Sequence, residues 1–172
     1  MEWVPAKVER VHPAKVTSAM DAVDTLQDTA HPTPGRFRVS EFVRWSDIDL
    51  AGIICYGAYV RFFEIAESEL FRGIGFPFAK LFERFDFWLP RAQLHFEFRK
   101  PALLDDHLDV EMWVARVGTS SLRLQFEVHK DNPERDLTAE GYAVLVAVAK
   151  SDLRPIPLPP EFVAALAPYR VT

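Results

Sequence analysis

From Arg36 onward the chain alternates apolar and polar positions regularly enough to predict its elements. Phe37, Val39, Val43 and Trp45 are apolar with polar residues between them except at Phe42, which predicts an edge-type strand with a break in phase. Between Gly57 and Arg72 the period becomes that of a helix. Tyr59, Phe62, Phe63, Ala66 and Leu70 form one apolar stripe, Glu64, Glu67, Glu69 and Arg72 lie off it, and Gly73 and Gly75 stop it. A second short helix is expected over Phe78 to Phe85. Four strands follow: Ala92, Leu94, Phe96 and Phe98 share one face of the first, and Leu108, Val110, Met112 and Val114 one face of the second. In the third, Leu122, Leu124, Phe126 and Val128 point inward and Arg123, Gln125 and Glu127 outward. The last, Tyr142 to Ala149, is apolar on both faces and is expected at the centre of the sheet, covered twice. Turn signals separate the strands at Lys100-Pro101, Gly118-Thr119-Ser120 and Asp131-Asn132-Pro133, and a run of prolines from Pro155 to Pro160 precedes a short terminal helix from Glu161.

One long apolar helix followed by strands with one apolar face each predicts an α+β architecture, an antiparallel sheet wrapped around a central helix. The two-faced last strand, with few elements to cover it, predicts a surface shared between protomers and hence a homo-oligomer. Residues 1–35 are different in kind. None of the 14 Phe lies before Phe37, and Trp3 is the only Phe, Trp or Tyr in that stretch. Composition shifts at His31-Pro32-Thr33-Pro34-Gly35, so residues 1–35 are expected to be an extension outside the core, with a short helix over Ser18 to Thr29, and residues 36–172 to be the domain.

Length and charge narrow this picture. At 172 residues the chain suits one domain, and its single Cys excludes a disulfide framework or a Cys-based zinc cluster. The net charge of −5, from 25 acidic and 20 basic residues, argues against nucleic acid or anionic membrane as a partner. No apolar run approaches a membrane span, and the acidic N-terminal stretch is unlike a leader, so the cytoplasm is expected. A phosphate-bearing ligand would need a local group of basic side chains.

The informative segment runs from Trp45 to Tyr59. Asp47 and Asp49 lie between a strand and the long helix, in a loop followed by Gly52, while Tyr56 and Gly57 fall at the helix start. Free N–H groups and the positive end of the helix dipole meet there, a setting suited to a developing oxyanion. A carboxylate placed against such donors is the minimum equipment for acyl transfer. The same spacing equally suits Asp47 or Asp49 as a helix cap or an Asx-turn, and spacing alone leaves both readings open.

The pattern Asp47-x-Asp49-x-x-Gly52, then Tyr56, Tyr59 and Glu64, resembles the hotdog-fold acyl-CoA thioesterases of the 4-hydroxybenzoyl-CoA thioesterase type, including those linked to the Tol–Pal system. Phe98-Arg99-Lys100-Pro101-Ala102 through Asp105-Asp106 is similar to that family's aromatic-x-x-Pro-Ala-x-x-x-Asp hairpin. Val117-Gly118-Thr119-Ser120-Ser121 is similar to its Gly-x-Ser-Ser bend, and Arg154-Pro155-Ile156-Pro157 to its Pro-x-Pro segment. The resemblance covers roughly residues 38–163 in order.

It implies a hotdog fold and thioester hydrolysis at an interface between protomers of a homodimer or homotetramer. Asp49 would be the catalytic carboxylate, as nucleophile or as base on water, with the Tyr56 N–H, joined by Gly57, polarising the thioester carbonyl. Tyr59, Glu64, Arg99, Lys100, Gly118, Thr119, Ser120 and Ser121 would bind substrate, Glu64 chiefly as a partly buried, hydrogen-bonded structural group. No cofactor or metal is implied, coenzyme A being part of the substrate. Two departures leave substrate choice open: Tyr56 stands where the Tol–Pal-linked branch has His, and Leu50 where the 4-hydroxybenzoyl branch has Pro. Thr119 gives the bend no basic side chain, so phosphate contacts fall to Arg99, Lys100, Arg116, Arg123 or Arg154. Cys55 is expected to be a small buried hydrophobe, and His95, His107 and His129 are isolated. The rival readings are a hydratase, which needs a His at the helix start where none occurs between His31 and His95, and a non-catalytic acyl-thioester-binding protein.

Overall fold

The apolar stripe becomes helix α1, Ala58–Gly73, which buries Tyr59, Phe62, Phe63, Ala66, Glu67, Leu70 and Phe71. It stops where Gly75 takes up φ +85°, a left-handed conformation that glycine adopts without a Cβ clash. The computed structural model describes residues 35–171. The chain divides into the units Met1–His31 and Pro32–Thr172, and the expected extension with its helix over Ser18 to Thr29 lies outside the described residues.

A five-stranded antiparallel sheet packs on α1. Its strands are β1 (Phe37–Phe42), β3 (Arg91–Phe98), β4 (His107–Val117), β5 (Ser121–Lys130) and β6 (Leu137–Val146), in the spatial order β1-β4-β5-β6-β3. Two-residue strands β2 (Phe87–Trp88) and β7 (Val148–Ala149) pair separately. Helices α2 (Phe78–Arg84) and α3 (Pro160–Ala165) close one end of the core. The inward residues of β4 and β5 are those the alternation predicts, and Leu108, Val110, Met112, Leu122, Leu124, Phe126 and Val128 are fully buried. Phe126 sits at the centre, 5.3 Å from the Phe63 ring and 4.9 Å from Phe96. Phe71 and Phe76 both meet Phe162 of α3 edge-on, which fastens the C-terminal segment to the end of α1. Among the described residues no helix is long and apolar enough to cross a membrane.

Several expectations are corrected. Trp45 does not continue β1. The Arg44 N–H donates to the Asp47 carboxylate at 2.8 Å, which winds Trp45–Asp47 into a 3-10 turn and leaves Trp45 exposed. The last strand starts at Leu137 rather than Tyr142 and breaks at Ala147; it is interior, and within one chain Ala143 and Leu145 are buried on α1's side while Tyr142, Val144 and Val146 are half-buried. The face of Ala92, Leu94, Phe96 and Phe98 is less buried than its alternation predicts, because β3 is an edge strand and only Phe96 reaches the core. Glu67 is not off the stripe. It is fully buried and ion-paired with Arg91 of β3, as a residue one turn beyond Phe63 must share its face.

Gly141 is an unforeseen requirement of the sheet. A Cβ there would lie 1.9 Å from the His95 carbonyl oxygen and 2.8 Å from Phe126 Cζ, so β6 approaches β3 closely only because position 141 has no side chain. Gly141→Ala is expected to lower stability by about 1–3 kcal/mol through forced separation of these strands. A chemical denaturation midpoint equal to that of the unsubstituted protein would contradict this.

Candidate active site

The two aspartates that spacing alone leaves equivalent, and of which the resemblance picks Asp49, have different surroundings. Asp47 is buried, ion-paired with Arg61 of α1, and its backbone oxygen accepts the Cys55 N–H at 2.7 Å. It ties the loop to the helix. Asp49 is exposed at the turn of a small hairpin closed by the Ile48–Ile54 bridge, with Gly52 at φ +74°. Its Oδ1 accepts the Ala51 N–H at 2.8 Å, an Asx-turn that leaves Oδ2 without a hydrogen-bond partner among the described residues.

The hairpin hands the chain to α1. The Ile54 N–H donates to the Ala102 carbonyl at 2.9 Å, fastening it to the segment after β3, and the Ala58 N–H donates to the Cys55 carbonyl. Between these bonds the N–H groups of Tyr56 and Gly57 meet no acceptor among the described residues, immediately ahead of the first helical residue. Exposed donors at the positive end of a helix are suited to an anionic oxygen.

A cavity of about 410 Å³ opens here. It is lined by Asp49, Tyr56 and Tyr59, by Ile53 and Ile54, and by the stretch from Phe98 to Pro101. The Tyr59 and Phe98 rings lie 5.4 Å apart and make its aromatic floor. Burial pushes the Tyr59 hydroxyl above its ordinary value, the Thr138 hydroxyl beside it holding it back only in part. Thr138 in turn donates to the Val128 carbonyl at 2.9 Å.

Five predicted site residues thus converge: Asp49, Tyr56, Tyr59, Arg99 and Lys100, with Gly57 adjoining. Ile53, Ile54, Phe98 and Pro101 complete the lining. Phe98 and Pro101 belong to a motif visible in the sequence, whereas nothing local marks the two isoleucines. Arg99 and Lys100 are not free cations. Arg99 is held by Glu97 and, at 2.8 Å, by Glu140, while Lys100 is held by Asp136. Each carboxylate favours the charged arginine, so the Arg99 guanidinium is raised above its ordinary value.

Two groups fall elsewhere. Glu64 is exposed and forms no hydrogen bond or ion pair among the described residues, contrary to the expected partial burial; the buried acid of α1 is Glu67. Gly118, Thr119, Ser120 and Ser121 form the β4–β5 turn at the opposite end of the sheet, since Ser121 pairs with Val146 while Phe98 pairs with Ala139. Within one chain they do not reach the cavity.

Glu111, Glu127 and His129 bring ligand atoms within 4.8 Å of one another on the outer face of the sheet. Arg36 lies between the two carboxylates at 3.0 and 2.7 Å, and Arg135 holds Glu111 at 2.8 Å. Glu127 holds the His129 imidazole above its ordinary value, with the Arg135 carbonyl accepting from Nδ1. Guanidinium groups already supply the positive charge that a metal would bring.

Comparison with known proteins gives a consistent result. The model of a family described as the thioesterase-like superfamily matches residues 43–166. An acyl-CoA thioester hydrolase, YbgC, of Escherichia coli O157:H7 is 32% identical over 130 residues, covering 74% of this chain and 93% of that protein. A 1,4-dihydroxy-2-naphthoyl-CoA hydrolase of Thermosynechococcus vestitus is 24% identical over 129 residues, 75% of this chain and 88% of its own. Among solved structures, a 1,4-dihydroxy-2-naphthoyl-CoA thioesterase from Synechocystis superposes with a TM-score of 0.72 at 20% identity, covering 77% of this chain and 96% of that one, a likeness of fold.

Proposed function

The chain belongs to the thioesterase-like superfamily, and from that membership we propose that it hydrolyses the thioester of an acyl-CoA in the cavity beside the start of α1. The acyl group rests against Tyr59, Phe98, Ile53 and Ile54. The thioester carbonyl oxygen accepts from the N–H of Tyr56, seconded by Gly57, and one such donor is typically worth about 10²–10³ in rate. Asp49 adds to the carbonyl carbon directly or takes a proton from the water that does so. The C–S bond then breaks and the thiolate leaves and takes up a proton; on the water route the acid is released directly, and on the direct route water hydrolyses the acyl–Asp49 anhydride so formed to the acid and free Asp49. The observation that carries this reading is one cavity lined by an exposed carboxylate, by Tyr56, whose N–H meets no acceptor among the described residues, and by apolar side chains.

The same reading includes a homodimer paired through β3. Among the described residues that strand has an unpaired edge along Arg91–Phe98, with Leu94 and Phe98 42% and 51% exposed, a surface that monomers usually blunt.

The test is release of free thiol from a panel of short, long and aromatic acyl-CoAs. Release from at least one is expected. Binding without release from any would make the protein an acyl-thioester-binding module instead.

A further inference from the structure

Arg61 stands in the first turn of α1, and its guanidinium joins the helix to the loop before it and to the end of β1. Its Nε donates to Asp47 Oδ1 at 3.2 Å and its Nη2 to Asp47 Oδ2, so one planar fork holds both oxygens of the carboxylate. The same Nη2 reaches the carbonyl of Phe42, the last residue of β1, at 3.4 Å. The guanidinium carbon lies 4.4 Å from the centre of the Phe62 ring, a contact that holds the plane of the fork.

These contacts belong to a closed circuit. The backbone oxygen of Asp47 accepts the Cys55 N–H at 2.7 Å, the Cys55 carbonyl accepts the Ala58 N–H at 2.9 Å, and Ala58 leads along α1 back to Arg61. Tyr56 and Gly57, whose N–H groups meet no acceptor among the described residues, are the two links between Cys55 and Ala58. Asp49 follows Asp47 by two residues, and its own N–H donates to the Ile53 carbonyl at 3.0 Å. The carboxylate and the helix-start donors therefore hang from one circuit. Among the described residues the Arg61 fork is the only side-chain link between Asp47 and α1, because the other bond to the Asp47 carboxylate, from the Arg44 N–H, lies within the loop.

We propose that Arg61 is a positioning residue for thioester hydrolysis: through Asp47 it fixes the Asp49 carboxylate relative to the N–H groups of Tyr56 and Gly57, an assignment that rests on the acyl-CoA reading above. Arg61 does not line the cavity, so it acts on the reaction through the loop alone. Donors serve a developing oxyanion only when they are aimed beforehand, and a displacement of about 1 Å can cost about 10²-fold in rate. The loop is poorly placed to hold such an aim by itself, since Asp49, Leu50, Ala51, Gly52, Tyr56 and Gly57 are all exposed. Helix α1 is rigid by comparison, with Phe62, Phe63, Ala66, Leu70 and Phe71 in the core. The fork lends the loop that rigidity in two bonds of fixed direction, which a lysine, carrying the charge without the fork, does not match.

The test is thiol release by Arg61→Ala, Arg61→Lys and the double variant Asp47→Asn/Arg61→Ala, each measured beside its thermal transition. Arg61→Ala is expected to lower kcat by about 10²-fold with KM nearly unchanged, and to melt earlier because the buried Asp47 loses its counter-charge. Arg61→Lys should keep most of the thermal transition and still turn over more slowly than unsubstituted protein. In the double variant no charge is stranded and the amide oxygen at position 47 can still accept the Arg44 N–H, so the thermal transition should recover while kcat stays low. A merely structural arginine would not separate the two, and where Arg61→Ala is too unstable to assay the double variant decides alone. Recovery of kcat together with the thermal transition overturns the proposal, as does an Arg61→Ala protein of full kcat or a loss carried by KM alone. Any of these beside thiol release by unsubstituted protein overturns the positioning role and leaves the acyl-CoA reading standing, whereas unsubstituted protein that releases thiol from no acyl-CoA overturns both.

Discussion

Replacing Asp49 by Asn is expected to lower kcat/KM for acyl-CoA hydrolysis by about 10³-fold while leaving the thermal transition where it is. The two halves of this expectation come from different atoms of one side chain. Oδ1 accepts the Ala51 N–H and shapes the turn, a task that an amide oxygen performs equally well. Attack on the carbonyl or proton removal from water needs the negative charge, which the amide lacks. Asp47→Asn makes the opposite case. That side chain is buried and paired with Arg61, so its loss is expected in stability, with chemistry affected only as far as the loop loosens. Thiol release and thermal melts on both variants separate the roles, and a stable Asp49→Asn enzyme of full activity would remove Asp49 from the mechanism.

Arg91→Ala is expected to cost about 3–5 kcal/mol at neutral pH, the consequence of stranding a buried carboxylate. The Glu67 side chain is fully buried, its Oε1 has no hydrogen-bond partner, and Arg91 is its only ion-pair partner among the described residues. Burial pushes the Glu67 carboxyl above its ordinary value; Arg91 opposes that rise, and neighbouring Glu64 adds to it. A carboxyl group raised in the folded state contributes its full stability below its ordinary value near 4.5, and that contribution is lost as pH rises through the folded value. Without Arg91 the folded value climbs further, so the deficit against unsubstituted protein should be small near pH 4.5 and large near pH 7.5. Urea unfolding of both proteins at the two pH values measures it. A deficit equal at both would contradict the stranded charge, and Arg91→Ala combined with Glu67→Gln should recover most of the loss.

What could be read from the sequence is what depends on neighbours along the chain. The α1 stripe, the inward faces of β4 and β5 and the turns around Gly118 and Asn132 all follow from local period and turn chemistry, and they stand where expected. The status of β3 could not be read, because alternation is the same in an edge strand as in an interior one, and only the order β1-β4-β5-β6-β3 makes it an edge. Glu67 reads as lying off the apolar stripe because the arginine that neutralises it is 24 residues further on. Spacing alone does not choose between Asp47 and Asp49 for the same reason, and only the resemblance points to Asp49: Arg61, 14 residues from Asp47, ties that side chain to the helix, while Asp49 lines the cavity. The candidate site was more legible than most of these, since Asp49, Tyr56 and Tyr59 fall within one loop and helix start. The Gly118–Ser121 bend, assigned to substrate binding by resemblance, lies at the far end of the sheet within one chain.

The central claim is that a thioester carbonyl sits between Asp49 and the start of α1. A crystal structure with an acyl-CoA analogue that keeps the carbonyl but replaces the thioester sulfur by a methylene group tests it most directly. The account predicts the carbonyl oxygen about 2.7–3.1 Å from the N–H nitrogen of Tyr56 or Gly57, the Asp49 carboxylate on the face of the carbonyl carbon, and the acyl group over Tyr59 and Phe98. An analogue bound with its carbonyl away from the helix start, or with Asp49 turned from it, would contradict the account.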